Sequence, residues 1–323
     1  MSGSELPSTT WIEAVNERVL SWFETSGRDL PWRRTRDPYR VLVSEVMLQQ
    51  IQVARAIPFY LAFIERFPTV QELAAAPIAE VIKVWGALGR YRRIAFLHRT
   101  AREIVDRFGG AVPCDVEALR ALPGIGPYTA GAVACFAYEQ DVGFVDTNVR
   151  RVIGRLVLGL GPLDASQCRH VDELASALVP RGHGWVWNQG LLDFGALCCT
   201  ARKPKCAACP LTDLCAAFPV DSDRGSPAIT RRSAAPERFE GSNRYFRGRI
   251  LAELREYLAE ETDNGIPLAE LGARVKQHFT PEDVPWLYGV VSGLEKDGLA
   301  VIAEDGPAYD AEDGREATYV RLP

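Results

Sequence analysis

The chain lacks the marks of export and of membrane insertion. Met1 to Trp11 has no basic opening and no apolar stretch behind it, so no signal peptide is predicted. The longest charge-free run, Ala121 to Tyr138, is cut by Pro123, Gly124, Gly126, Pro127 and Gly131. That makes it a buried hairpin and not a membrane span. Alternating strand patterns are absent before residue 298, and so is any internal repeat, which predicts a main domain that is nearly all α. An excess of charge of one sign is missing as well. The net charge of −5, taken over the whole chain, argues against a nucleic-acid partner. Lysine is scarce, five residues against 32 arginines. The ratio suits bidentate phosphate contacts, although genome composition or a saline habitat produces it equally.

What is present is an ordinary globular composition, 47% hydrophobic and 24% charged, which excludes collagen-like, coiled-coil and disordered classes. A length of 323 residues predicts two domains. The net charge hides a split. Residues 240–323 hold 9 basic and 17 acidic side chains, a net −8, and the remaining 28 basic and 25 acidic leave residues 1–239 at +3. A mildly basic main part and an acidic tail have different jobs.

Trp11, Val15, Val19 and Trp22 recur at helical spacing and predict a first helix ending near Gly27. Two helices are predicted between Asp37 and Arg66, and Thr69 with Glu72 forms a capping box for the next. Phe218 to Asn243, rich in Pro, Ser, Arg and Gly, reads as a linker. Beyond it come three helical patterns, Tyr245–Leu258, Leu268–Val275 and Pro285–Lys296, then short strands at Leu299–Ala303 and Ala317–Leu322. Three helices and a two-stranded ribbon are the layout of a winged helix. Its recognition helix carries Lys296 against Asp283 and Glu295, so partner docking or a structural role competes with DNA reading.

Eight cysteines are unevenly placed. Cys199, Cys206, Cys209 and Cys215 crowd into 17 residues, with Cys198 beside them, while Cys114, Cys135 and Cys168 are scattered. Without a signal peptide, disulfides are the weaker reading and a metal site the stronger. Only Cys206 and Cys209 make a Cys-x2-Cys knuckle, which favours an iron-sulfur cluster over an all-cysteine zinc site.

Leu122-Pro-Gly-Ile-Gly-Pro-Tyr-Thr-Ala130 lies between two short helical patterns. Its glycines allow a sharp turn and a close backbone approach, and the second helix offers free N–H groups to an anion such as a phosphate. A tight turn with no ligand is the bland alternative. Glu45 sits in the apolar helical run Val41–Leu48. Burial raises a carboxyl pKa, which makes Glu45 either a general acid near neutral pH or half of a buried salt bridge. Asp146, in Val145-Asp-Thr-Asn148, is an N-cap and a possible catalytic carboxylate.

These features in this order resemble the adenine DNA glycosylase (MutY) family of helix-hairpin-helix, iron-sulfur DNA glycosylases. The match lies in Leu30-Pro-Trp-Arg-Arg34, Ser44-Glu-Val-Met-Leu-Gln-Gln50, the hairpin, Val145-Asp-Thr-Asn148 and Leu192-Asp-Phe-Gly-Ala-Leu197, and spans residues 11–217. It implies a mostly α helix-hairpin-helix glycosylase fold, a six-helix subdomain plus an iron-sulfur helical subdomain, followed by the small winged-helix-like α+β domain. The implied division is residues 1–217 for the glycosylase domain, with the hairpin subdomain at about 28–140 and the cluster subdomain at 1–27 plus 141–217. A linker at 218–243 and a domain at 244–323 complete it.

The resemblance implies base excision repair: hydrolysis of the N-glycosidic bond of an everted adenine mispaired with guanine or 8-oxoguanine. Glu45 matches the acid that protonates adenine at N7, and Asp146 the carboxylate that steadies the oxocarbenium-like sugar. Tyr128 and Asn148 match supporting positions, and Cys199, Cys206, Cys209 and Cys215 match the ligands of a 4Fe-4S cluster. DNA contacts fall at Arg28, Trp32, Arg33, Leu48, Gln50, Arg90, Tyr91, Gly124, Gly126 and Arg150. Tyr128 stands where endonuclease III-type enzymes have a strand-cutting lysine, which implies a monofunctional enzyme.

Three departures bear on the orphan base. Arg90 replaces a tyrosine that wedges into the duplex, Ile51 replaces a threonine, and a nudix-like C-terminal module finds no match. The expected partner is mismatched double-stranded DNA, bound by a monomer in the cytoplasm at the nucleoid, with no membrane. The C-terminal domain's own partner is unknown. A thymine or uracil mismatch glycosylase and a non-catalytic iron-sulfur DNA-binding protein are the alternatives.

Overall fold

Helices make up about two thirds of the computed structural model, which describes residues 6–161, 163–218, 238–259, 265–303 and 318–323. In chain order they are α1 (Thr9–Ser26), α2 (Pro38–Leu48), α3 (Val53–Arg66), α4 (Val70–Ala75), α5 (Ile78–Trp85), α6 (Arg92–Phe108), α7 (Val116–Arg120) and α8 (Pro127–Tyr138). There follow α9 (Thr147–Leu158), α10 (Ala165–Ala177) and α11 (Gly184–Leu197), then α12 (Asn243–Ala259), α13 (Leu268–Val275) and α14 (Val284–Lys296). The described strands are β1 (Ile266–Pro267), β2 (Val301–Ala303) and β3 (Tyr319–Arg321). The described residues include no helix long and apolar enough to cross a membrane.

The chain forms two compact units, Met1–Glu45 with Val112–Arg232, and Val46–Ala111 with Ser233–Pro323. These boundaries differ from the division read from the sequence, because residues 233–323 group with 46–111. The linker predicted at 218–243 lies largely outside the described residues.

In the first unit, local chemistry starts the helices. Ser8 caps α1 by accepting from the Trp11 amide, Asp115 caps α7, and Asp164 with Gln167 closes a capping box on α10. The apolar stripe of α1, Val15 and Val19, packs with Val152, Ile153 and Leu156 of α9, Val171 and Leu174 of α10, and Trp187, Leu191 and Phe194 of α11 in one fully buried cluster. Helix α8 is apolar on all sides and buried from Thr129 through Phe136, as the charge-free run predicts. Gly124 makes the turn into it at φ 74°, the left-handed region that favours glycine.

In the second unit, α3 to α6 form a helical layer in which Phe63, Trp85 and Ile94 are wholly buried. Helices α12 to α14 meet a sheet of order β1-β3-β2, antiparallel throughout, with Ile266 opposite Val320 and Ile302 opposite Val320. This corrects the expected two-stranded ribbon. Two residues of β1 are too few for alternation to register in a sequence, and Gly265 at φ 78° turns the chain into them. The face of α14 bearing Leu287, Val290, Val291 and Leu294 is spent on the core.

Candidate active site

Helix α2 buries Val41, Leu42, Val43 and Val46, and Glu45 in their midst is only 4% exposed. Burial disfavours its charge and pushes the carboxyl up to about 7. The Tyr128 hydroxyl, which donates to it, and the Arg33 guanidinium pull it back down, and the neighbouring Asp146 adds to the rise. Tyr128 stands in the first turn of α8, its ring edge-on to Phe144 at 5.3 Å. Burial and the two carboxylates push its own proton well above the phenol range, so it remains a donor.

Asp146 caps α9. Its Oδ1 accepts from the Asn148 and Val149 amides at 2.8 and 2.7 Å, and its Oδ2 accepts from Asn148 Nδ2 at 2.8 Å. Asn148 is fixed in turn: its Oδ1 accepts from Arg151 Nη2 at 3.0 Å, and the same nitrogen donates to the Gly195 carbonyl at 2.6 Å. A Cβ on Gly195 would lie 2.8 Å from that of Asn148, so only glycine lets α11 approach so closely. The structure thus brings Glu45, Tyr128, Asp146 and Asn148 together, as one proton-bearing carboxyl, one hydroxyl donor and one half-buried carboxylate.

The native Glu45 carboxyl titrates near 7, above its ordinary 4.5, so the native state holds a proton that the unfolded chain has released. Stability is full below about pH 4.5 and falls as pH rises through about 7, by about 3 kcal/mol. Glu45→Gln, which has no charge to bury, is expected to melt several degrees above the wild type at pH 8. Equal melting temperatures at that pH would contradict the raised pKa.

Beneath this group lies a hub that sequence reasoning missed. Asp193 of α11 is 0% exposed. It accepts from Arg28 Nε at 2.9 Å and from its amide at 2.8 Å, and from Arg33 Nη1 and Nη2 at 2.8 and 2.9 Å. Gln189 takes the last arm, Arg33 Nε, at 2.6 Å. Burial would raise the Asp193 carboxyl, but the two arginines outweigh it and hold it below the usual range. The only sequence signal was an acid inside Leu191-Leu-Asp-Phe-Gly195. Asp193→Ala strands two guanidiniums and is expected to cost about 3–5 kcal/mol in urea unfolding; a loss under about 1 kcal/mol would contradict the hub.

This pairing corrects two expected DNA contacts. The Arg33 side chain is 7% exposed and committed to Asp193, and Trp32 is 5% exposed, so neither is presented to a ligand at the surface. Arg28 shares Asp193 but is 30% exposed. Arg150 pairs with Asp172 at 2.8 Å on the surface. Gly124 and Gly126 form the hairpin turn, with no side chain capping α8 and open space where a Cβ of Gly126 would sit. In the second unit, Leu48 ends α2 half-buried. Gln50 and Arg90 are exposed in left-handed turns at φ 56° and 57°, and the Tyr91 hydroxyl donates to the Gly86 carbonyl at 2.9 Å.

The four clustered cysteines line the loop after α11. The Ala216 and Ala217 amides bond the Leu156 and Arg155 carbonyls at 2.9 and 3.1 Å, tying the loop to α9. Cys199, Cys206, Cys209 and Cys215 are near enough to perturb one another electrostatically, and Arg155 Nη1 lies 3.5 Å from Cys199 Sγ. Buried Cys198 bonds Cys209 as a neighbour. Four clustered cysteines, with the Arg155 guanidinium beside Cys199, are a donor set that, once deprotonated, fits an anionic iron-sulfur cluster. When bound, the cluster cross-links the loop to the helical core. Arg151 joins the two sites, with Nε on the Cys199 carbonyl at 2.9 Å and Nη2 on Asn148.

Comparison with known proteins identifies the family. Residues 43–180 match the HhH-GPD superfamily of base excision DNA repair proteins, and residues 199–215 match the iron-sulfur binding domain of endonuclease III. The adenine DNA glycosylase of Mycolicibacterium smegmatis is 44% identical over 93% of this chain and 98% of its own length. That of Mycobacterium tuberculosis is 42% identical over 77% and 81%. A thermostable thymine-DNA glycosylase of known structure superposes with a TM-score of 0.61 at 33% identity, covering 65% of this chain and 97% of that one. The fold is that of the helix-hairpin-helix DNA glycosylases, the cysteine loop is an iron-sulfur binding segment, and the chain belongs to the adenine DNA glycosylase family.

Proposed function

We propose that this protein is a monofunctional DNA glycosylase of base excision repair that removes adenine mispaired with guanine or 8-oxoguanine. The observation that carries the reading is the buried Glu45, its carboxyl pushed up to about 7, beside Tyr128 and Asp146. An adenine everted from the duplex presents N7 to Glu45, which gives up its proton. The C1′–N9 bond breaks with its electron pair moving to N9, and adenine leaves neutral. Asp146, held by Asn148 and the α9 amides, steadies the positive charge on the sugar. Water then adds to C1′, and its proton restores Glu45. Tyr128 donates to Glu45 and offers no amine for a Schiff base, so the strand stays whole. The open N-terminus of α8, after Gly124 and Gly126, takes a DNA phosphate.

In this reading Cys199, Cys206, Cys209 and Cys215 hold a 4Fe-4S cluster, residues 1–217 form the catalytic domain and 244–323 an appended one. The enzyme acts as a monomer on mismatched duplex at the nucleoid.

The likeness to a thymine-DNA glycosylase favours a second reading, removal of thymine or uracil; the absence of N7 from a pyrimidine leaves Glu45 without its target there. Incubation with duplexes carrying A·G, A·8-oxoguanine, T·G or U·G, followed by alkali, separates the two. Cleavage confined to the adenine strands, and only after alkali, is expected. Release of a pyrimidine would establish the second reading, and no release from any duplex would leave a binding protein.

A further inference from the structure

One cleft of the second unit is lined by the expected DNA contacts Gln50, Arg90 and Tyr91 and also by arginines of α12 that have no role above. It encloses about 660 Å³, and seven of its lining residues are arginines while none is acidic. Arg55, Arg90, Arg92 and Arg93 come from α3 and from the turn that opens α6, and Arg244, Arg247 and Arg255 from α12. Asp297 engages Arg92, at 3.1 Å, and Arg247. The other five have no carboxylate partner among the described residues. Arg55 bonds the Ala87 carbonyl, Arg255 bonds the Leu251 carbonyl and lies over the Tyr91 ring, and Arg244 lies over Phe239. Arg93 Nη1 is buried with no hydrogen-bond partner among the described residues.

Such an arrangement is costly by itself. Burial, then the nearby Arg90, pulls Arg93 down to about 10, and burial with Arg244 lowers Arg90. Cations crowded until they destabilise one another's charge, with a buried donor left idle, are stabilised by an anion. The donors exceed what one phosphate accepts and stand on two sides of an open cleft, which suits a polyanion chain passing between them. Of the acidic residues of the C-terminal part, Asp297 is the one among the described residues that pairs with arginines of the cleft, and α12 itself carries four arginines against Glu253 and Glu256.

We propose that α12 and the turn at residues 87–93 together clamp the phosphodiester backbone of the duplex on which the enzyme acts. The C-terminal part then binds DNA through its first helix and not through α14, the helix in the recognition position of a winged helix. The inference rests on the DNA-glycosylase reading and extends it to a part of the chain that the reading leaves without work.

The test uses the full chain and a labelled A·G duplex, with affinity measured across a salt series. Each phosphate contact contributes about 0.9 to the slope of log K against log salt. The double variant Arg90→Gln, Arg244→Gln removes two cations that make no hydrogen bond in the described structure. It is expected to lower the slope by about 2 and the affinity at low salt at least about tenfold. Arg244→Lys is expected to keep the slope, and Arg107→Gln, which removes an arginine outside the cleft, to leave it unchanged. A double variant with the wild-type slope, or an equal loss in Arg107→Gln, would overturn the clamp. Should the double variant lose its helical circular dichroism, Arg244→Gln alone, with an expected slope loss of about 1, decides. Adenine release by the wild type is scored separately: release with no change in slope sinks the clamp alone, and a changed slope without release sinks the glycosylase reading alone.

Discussion

Glu45→Gln is expected to slow adenine release by about 10²–10⁴-fold, the range a positioned general acid supplies, while duplex affinity is retained. Glutamine keeps the shape and still accepts from the Tyr128 hydroxyl, but it has no proton to give. The wild-type rate at saturating DNA should be level at low pH and fall tenfold per pH unit above about 7. Burial sets that limb, since it pushes the carboxyl from its ordinary 4.5 to about 7 and leaves it protonated where an exposed glutamate is not. In Glu45→Gln the limb should vanish. Single-turnover kinetics check both, and wild-type release by the variant would refute the assignment of the acid.

Asp146→Asn carries the second large effect, an expected loss of about 10³-fold in release with α9 intact. Asparagine caps helices as well as aspartate, so the substitution separates the two roles the residue combines. The neutral amide still accepts from the backbone, but it offers no charge to the sugar cation. Circular dichroism should be unchanged while excision falls. If the cap were the whole of its role, excision would follow helix content and both would survive.

How much of this was legible in the sequence depends on the range of the interaction. Some helix starts were, because caps act over three residues: Thr69 and Asp146, both read as caps, each bond the amides of an N-cap. The burial of Glu45 was visible in the apolar run around it. Its hydrogen bond from Tyr128 was not, since 83 positions separate the two and only the family resemblance joined them. Asp193 shows the opposite failure. Its partners lie 165 and 160 positions away, so Arg28 and Arg33 read as DNA contacts when they are the counterions of a buried acid. The net charge of residues 240–323 says little about α12, because an average over 84 residues conceals the four arginines of that helix.

The central claim is that a buried carboxyl keeps its proton at neutral pH and delivers it to a purine. Titration of the Glu45 δ-carboxyl by carbon-13 NMR in the full-length protein, with the resonance assigned by its disappearance in Glu45→Gln, measures this most directly. A midpoint near pH 7 is expected. A midpoint near 4.5 would mean that the group is ionised when the enzyme works, and would contradict it.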